Sequence, residues 1–524
     1  MHTIRKLLFG AGALAMPLSA ASLTGSIIDT DTGPPVAARL YIQDKNGAWH
    51  HAKSKGGTAV PYKVQRGPKS IEVHTTLSAH PFEADLPPGT YTLTAERGKE
   101  FHPAEAVVTI ADNPVRVELK LRRWTESTLA SRGWYSGDTH VHRKAGDLPT
   151  LLLAEDLNVA LPLTSWVTDS REAPDKANKN PEPVPPAKLI VVDDTHVIWP
   201  VNTEYEIFTV KGKRHTLGAV FALNHKSAFT LTAPPVAPIA EEARRQGAIL
   251  DLDKHNWPWS MMLVPVMGVE LFELTNNHLW RTDFFFNQWQ AGYTPEHWKI
   301  ERDEQGYTER GWIDFGFKNY YALLNCGFDM KPSAGTASGV HPVPLGFGRV
   351  YVHLDGDFTY EKWIRGLAAG NSFVTTGPIL TTSVTRRDAK RATVSVTYES
   401  RFPSASIQVI VNGKHQVVLD GHGSTTKRGG YRVTMSGQID LETSCWIAAS
   451  AFEKRPDGRP RFAHTAPVWI DVRGKPLVPD KEDVDYLVRR VEEELKRHEG
   501  VLPEEVLAEY REAAEAFRKT MPRR

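Results

Sequence analysis

The sequence predicts a multidomain α/β protein in which a core of repeated βα units is flanked by two β-sandwiches and ended by a helical tail. Three observations carry that expectation. Between Trp124 and Leu380, short apolar runs alternate with helix-length segments, the texture of a parallel sheet, open or closed into a barrel. On either side, Leu23 to Arg123 and Thr381 to Val472 show short alternating runs separated by turn residues. The first run of the core ends in two histidines one residue apart, within Gly133 to Arg143. A chain of 524 residues is also too long for one hydrophobic core, so roughly three or four domains are expected.

Residues 1–21 read as a secretory signal. Arg5 and Lys6 form a basic start, Leu7 to Met16 an apolar stretch, and Ser19-Ala20-Ala21 a small-residue cleavage site. The apolar stretch is too short for a membrane span, and nothing else resembles one. An exported protein, periplasmic or extracellular, follows as the expectation. Net charge is +1 with 24% charged residues, which gives no basic face for nucleic acid. Cys326 and Cys445 are the only cysteines, so disulfides do not build the fold and a cysteine-based zinc site is excluded. Whether those two pair is left open.

Taken in order, 22–123 is the first β-sandwich, with Leu40-Tyr41-Ile42 and Tyr91-Thr92-Leu93-Thr94 as strands and Pro87-Pro88-Gly89 as a turn. Its Leu-Pro-Pro-Gly-Thr-Tyr-Thr-Leu stretch resembles the carboxypeptidase-regulatory type of domain. In 124–380, helices are expected at Pro149 to Leu157, Ile239 to Gln246, Tyr320 to Cys326 and Tyr360 to Ala369. Strands are expected at Ala248 to Leu252, Phe347 to Leu354 and Ser372 to Thr375. Two irregular insertions interrupt them: the proline-rich Asp169 to Lys188 and the aromatic Trp280 to Phe315. In 381–473, Asn412-Gly413 between apolar runs signals a hairpin and a second sandwich. In 474–524, Val484, Leu487, Val488, Val491 and Leu495 form one helical stripe, and Pro503 restarts a second helix.

Side chains at i and i+2 of a strand share a face, so His140 and His142 project together as half of a tetrahedral metal site. In a parallel α/β barrel, working residues stand at strand C-termini. Those positions supply Glu204 and Glu206 after the run at His196, His215 after Lys213-Arg214, and the stretch Asp251-Leu252-Asp253-Lys254-His255. Glu270 and Glu273 lead from a further run towards Asn276-Asn277-His278. Each has an ordinary alternative: His255 as an aromatic-cluster residue near Trp257, His215 as surface loop, and Glu204 and Glu206 as a solvated strand face. Their joint placement at successive strand ends favours a site for one or two divalent ions, zinc or manganese foremost, with iron(II) also suited.

Gly137-Asp138-Thr139-His140-Val141-His142 resembles the opening motif of the PHP (polymerase and histidinol phosphatase) superfamily. The form Gly-Asp-x-His-x-His after a β-sandwich is similar to the CehA/McbA group of metallohydrolases, named for carbaryl hydrolase. By order of motifs the resemblance spans Trp134 to Pro378 and includes the closing run Gly370 to Pro378. It implies a distorted seven-stranded βα barrel, metal-dependent hydrolysis, and metal ligands at His140, His142, Glu204, His215 and His255. Two family motifs depart. The Asp-His after the second strand is Ser165-Trp166, and the late Gly-Ser-Asp-x-His is Gly335-Thr336-Ala337-Ser338-Gly339. His341, two residues beyond, is not expected to compensate, which leaves one or two metals rather than three.

The expected function is hydrolysis of an ester, amide or phosphoester in a small-molecule or saccharide substrate. A bound metal lowers the pKa of water from ~15.7 towards ~7. Lys254 would stabilise the oxyanion, Glu204 or Glu206 would bridge metals or act as base, and His278 would assist. Asp138, Asp251 and Asp253 would accept the second N–H of the histidine ligands. The rival expectation is a non-catalytic secreted protein that binds a glycan or surface through a decayed barrel.

Overall fold

Two sheets built from 21–123 face each other across one apolar core. In the first, Ala21–Asp29 lies between Phe82–Leu86 and Val115–Arg123; in the second, Ala38–Asp44 lies between Gly89–Glu96 and Ile71–Leu77. Period-two alternation drives this, since Gly89–Glu96 buries Tyr91, Leu93 and Ala95 and exposes the residues between them less deeply or fully to solvent. Leu23, Leu40, Phe82 and Leu119 join the same core. These coordinates are a computed structural model, which describes residues 21–522 apart from 178, 255, 256, 290 and 417–419. The expected signal segment lies outside the described residues except for Ala21.

The central region departs from a run of parallel βα units. Trp134–Val141 pairs parallel with Val159–Pro162 but antiparallel with Arg349–His353. A second sheet runs Ser165–Asp169, Thr203–Val210, Lys213–Leu223, Ile249–Leu252, Leu271–Thr275, Lys331–Ala334. Lys213–Leu223 is antiparallel to both neighbours. The reason is local: Lys211 and Gly212 both have positive φ, 51° and 76°. A two-residue turn of that handedness folds the strand straight back where a βα unit would insert a helix. The two sheets meet at the end of Trp134–Val141, where Ala337 N donates to His140 O at 2.7 Å and His142 N donates to Ser338 O at 2.9 Å.

The boundary expected at 380/381 is bridged by backbone hydrogen bonds. Ser372–Thr375 pairs with Phe462–Thr465, which continues through Cys445–Glu453 to Ser404–Val411 in the same sheet as Trp134–Val141. A separate four-stranded sheet, Ile379–Arg386, Arg391–Ser400, Tyr431–Asp440 and Asp420–Thr425, lies against it over a shared core that includes Phe373, Val394 and Ile447. Asn412 and Gly413 both take positive φ at the expected hairpin.

Helices form at Leu148–Glu155, Ala237–Gln246 and Tyr360–Ala369. The helix expected from Tyr320 begins earlier, at Glu309, because the Thr308 hydroxyl accepts from Gly311 N and caps it. Lys481–His498 and Glu504–Lys519 bury Leu487, Val491, Tyr510 and Phe517 in the main core. Glu509 accepts from Val236 N and Ala237 N at 2.9 and 2.8 Å, placing a carboxylate at the start of Ala237–Gln246. Cys326 and Cys445 are buried free thiols. Among the described residues, no helix is long and apolar enough to cross a membrane.

Candidate metal centre

His140 lies near the end of the strand Trp134–Val141 and His142 directly follows it, and Glu204 projects towards them from Thr203–Val210. His142 Nε2 lies 3.2 Å from Glu204 Oε2, and His140 Nε2 lies 3.9 Å from Glu204 Oε1. On the other side of its ring, His140 Nδ1 lies 3.0 Å from Glu273 Oε2 and 4.0 Å from Asp253 Oδ1. Glu273 comes from Leu271–Thr275, and Asp253 directly follows Ile249–Leu252. Ligand atoms converge within 4.8 Å of one another in three groups: His140, His142, Glu204; His140, Asp253, Glu273; and Glu204, Glu206, Asp253. Phe221 packs on the His140 ring with centroids 4.5 Å apart.

Lys254 has positive φ, 53°, an uncommon conformation for a side chain of this size, and its ammonium turns back into the carboxylates. Its Nζ lies 3.0 Å from Glu206 and 3.5 Å from Glu204, and it also contacts Asp253. Glu204, Glu206, Asp253 and Glu273 are each no more than 7% exposed. Three buried carboxylates thus contact one ammonium and a fourth, Glu273, lies on His140, an excess of negative charge that suits a divalent cation. The Oε2 of Glu204 and the Oδ1 of Asp253 are buried with no hydrogen-bond donor. Ligand types, orphaned oxygens and charge all fit a metal ion.

Burial sets the protonation tendencies. It pushes Glu204 up to about 8, with Lys254 opposing and Asp253 adding to the rise. Burial raises Glu273 well above the carboxylate range, reinforced by Asp253 and Asp251. Burial lowers His142 to about 4 and His140 further below the usual histidine value, so both rings are neutral and able to ligate. Burial alone would lower Lys254, but Asp253, Glu206 and Glu204 together hold it above its ordinary value.

Several expected roles are reassigned. His215 is not part of the convergent set: its Nε2 lies 2.8 Å from Nδ1 of His498 in the C-terminal helix. Adjacent strand residues face opposite ways, and it is the neighbouring Arg214 that lines the cleft. His255 lies outside the described residues. Asp138 holds backbone rather than imidazole, accepting from His140 N at 3.1 Å, Gly346 N at 2.9 Å, and Thr336 N and Oγ1 at 3.2 and 2.6 Å. Asp251 accepts from Thr139 and Ser333 hydroxyls at 3.3 and 2.7 Å. Asp253 stands in the ligand set itself, not behind it. Lys254 is engaged by carboxylates rather than aimed at substrate alone. His278 stacks on Phe286 with centroids 3.8 Å apart in the cleft wall, and His341 also lines the cleft. Neither belongs to a convergent group among the described residues.

Glu273 is the residue that sequence reasoning passed over as a site member. Its signal was its place at the end of an apolar run, but Glu270 beside it offered the same signal. Trp166, standing where the resembling family has histidine, packs its ring 4.4 Å from His142 and donates from Nε1 to Glu206 Oε2 at 3.0 Å. The cleft above the centre has a volume of about 400 Å³ and aromatic walls that include Trp257, Phe285, Phe286 and Trp289, with Arg66 and Arg214 also lining it. Compared with protein-family models and with curated proteins, the chain matches none.

Proposed function

We propose that this protein is an exported metal-dependent hydrolase of PHP type that cleaves an ester, amide or phosphoester attached to a ring. The observation that carries the reading is the convergence of His140, His142 and Glu204 beside a second triad sharing His140. The run of hydrogen bonds joining Trp134–Val141 to the Lys331–Ala334 sheet supports the distorted barrel that the resemblance implies.

One divalent ion would be held by His140 Nε2, His142 Nε2 and Glu204. When bound, such an ion acidifies water and polarises the substrate oxygen. Glu273 accepts the His140 Nδ1 proton, which fixes the tautomer and turns Nε2 towards Glu204 and His142. Lys254 opposes the rise that burial imposes on Glu204, Glu206 and Asp253 and so serves as a built-in second cation where a two-metal site would hold an ion. Asp253 Oδ1, which has no donor, is the carboxylate oxygen free to take a proton at the floor of the cleft. The aromatic walls would hold an aryl or sugar ring, and the two arginines would draw an anionic substituent.

The test is metal analysis of the purified chain together with hydrolysis of aryl ester, amide and phosphoester panels, before and after chelation. Chelator-sensitive turnover restored by zinc or manganese is the expected result. Full metal loading with no turnover on any panel, and glycan binding that survives His140→Ala, would replace this reading with that of a binding protein.

A further inference from the structure

A second cavity, of about 330 Å³, opens where the N-terminal sheets, the strand Arg349–His353 and the C-terminal strands meet. Seven cations and four carboxylates line it, an excess of positive charge, and most of those cations have partners. Arg349 donates to Gly346 O at 2.6 Å and to the Glu155 and Asp156 carbonyls at 3.1 Å. Arg461 donates to Glu309 and to Trp280 O at 3.1 and 3.2 Å.

Two cations differ. The Lys99 ammonium donates to one acceptor, the carbonyl of Thr376 at 2.9 Å, and sits over the Phe347 ring at 4.5 Å. Arg461 approaches the same ring at 5.1 Å, so two positive heads share one aromatic face or edge. Arg401 makes no hydrogen bond and no ion pair among the described residues; its guanidinium stands 5.5 Å from the Phe402 ring and is attracted by Glu96 and Glu453 only through space. The carboxylates of the lining are already engaged: Glu96 by Arg39 and Arg281, Glu155 by Arg39, Asp457 by Arg455, and Glu453 by the Ser400 hydroxyl at 2.5 Å and Arg455 at 3.4 Å. Lys99 therefore keeps N–H donors to spare, and Arg401 has all of its own free.

Gathering like charges away from bulk water without a counter-ion is costly, and a bound anion reverses the cost. We propose that this cavity binds a doubly charged tetrahedral oxyanion, a phosphate or sulfate group, between Lys99 and Arg401. Burial, helped by Arg349 and Arg461 and opposed by Glu453, drives Lys99 well below its ordinary value, a direction that a bound anion would reverse. The site is independent of the metal centre: no residue of His140, His142, Glu204, Asp253 or Glu273 lines it.

The experiment uses the full chain after treatment with a chelator, so that phosphate cannot report on a metal. Calorimetric titration with sodium phosphate and with sodium sulfate, at ionic strength fixed by sodium chloride, should give saturable binding near one anion per chain. Arg401→Gln and Lys99→Met should each weaken it at least tenfold, while His140→Ala leaves it unchanged. Lys99→Met should also raise the melting temperature without anion, because a buried repulsion is gone. Phenyl phosphate is the third arm. Affinity equal to that of phosphate assigns the site to a phosphoryl group carried on a larger molecule, and affinity tenfold lower assigns it to the free ion. Absence of saturable binding, or equal binding by wild type and both cavity variants, overturns the proposal. Should Lys99→Met fail to fold, Arg401→Gln and the wild-type titration decide.

Discussion

Trp166 and Glu206 are joined by an indole N–H···Oε2 bond of 3.0 Å, formed at a position where the resembling family keeps a histidine. The tryptophan thus supports a carboxylate, and through its ring the neighbouring His142, without being able to ligate. Trp166→Phe should keep the ring contact and leave one oxygen of a buried carboxylate short of a donor. That costs about 1–3 kcal/mol. Urea unfolding should show the loss while metal content stays at the wild-type level; loss of the metal in this variant would make Glu206 a ligand.

His140→Ala and His142→Ala should each abolish metal retention through dialysis. Glu273→Gln is the finer probe, because the amide oxygen still accepts the His140 Nδ1 proton but lacks the charge. Loss of such a supporting carboxylate typically weakens metal binding by about 10–100-fold. Competition against a chelating dye measures it. An unchanged affinity would show that Glu273 neither orients His140 nor ligates.

Lys254→Met removes the ammonium from Glu204, Glu206 and Asp253 and leaves the acidic triad open. Metal stoichiometry should rise from one ion per chain to two, and added metal should raise the melting temperature more than in the wild type. Two ions in the wild type would instead mean that Lys254 shares the site rather than filling half of it.

The motif at His140 and His142 was legible because a strand repeats every two residues, and that periodicity survives any fold. Helices with strong boundary residues were legible for a similar local reason: Gly247 and Gly370 stand in the left-handed region, with φ of 70° and 75°, where Ala237–Gln246 and Tyr360–Ala369 end. Contacts between distant segments were not. Nothing near His215 announces His498, which is brought to it by the C-terminal helix packing on the body. Asp138 and Asp253 have the same side chain, and only the loops at Thr336 and Gly346 decide that the former saturates on backbone donors. The antiparallel turn at Lys211-Gly212 was not among the features read, because βα repeats place a helix rather than a two-residue turn between strands.

His464 gives a pH dependence separate from the metal. It is fully buried, with Nδ1 2.7 Å from Thr465 O and Nε2 2.9 Å from the Tyr321 hydroxyl, a set that the neutral ring satisfies. Burial lowers it from 6.5 to about 4. A depressed folded value means that the unfolded chain takes the proton first as pH falls. The stability is therefore complete above about 6.5, declines below it, and is exhausted near the folded value of about 4. Between pH 7.5 and 5 this one residue should remove about 2 kcal/mol. His464→Gln should flatten the melting-temperature profile over that interval; a profile as steep as the wild type's would place the acid sensitivity elsewhere.

Gly335 gives the strictest test of the centre. It is the one glycine of the late family motif that keeps its place, and a Cβ added there would lie 2.2 Å from His140 Cβ and 3.1 Å from Glu273 Cδ. Both neighbours are held, His140 by Ala337 N on its carbonyl at 2.7 Å and Glu273 by Asn277 N on its Oε1 at 2.8 Å, and Gly335 itself by Thr275 O at 3.1 Å. The requirement is steric rather than conformational, because Gly335 is not among the positive-φ residues. Gly335→Ala should therefore cost about 1–3 kcal/mol as an overpacking change, and it should push His140 off Glu204 and Glu273 together. Metal affinity should fall at least tenfold. Gly146→Ala, with no atom within 4 Å of its added Cβ, is the control and should change neither quantity. Wild-type metal affinity in Gly335→Ala would mean that His140 does not hold the ion.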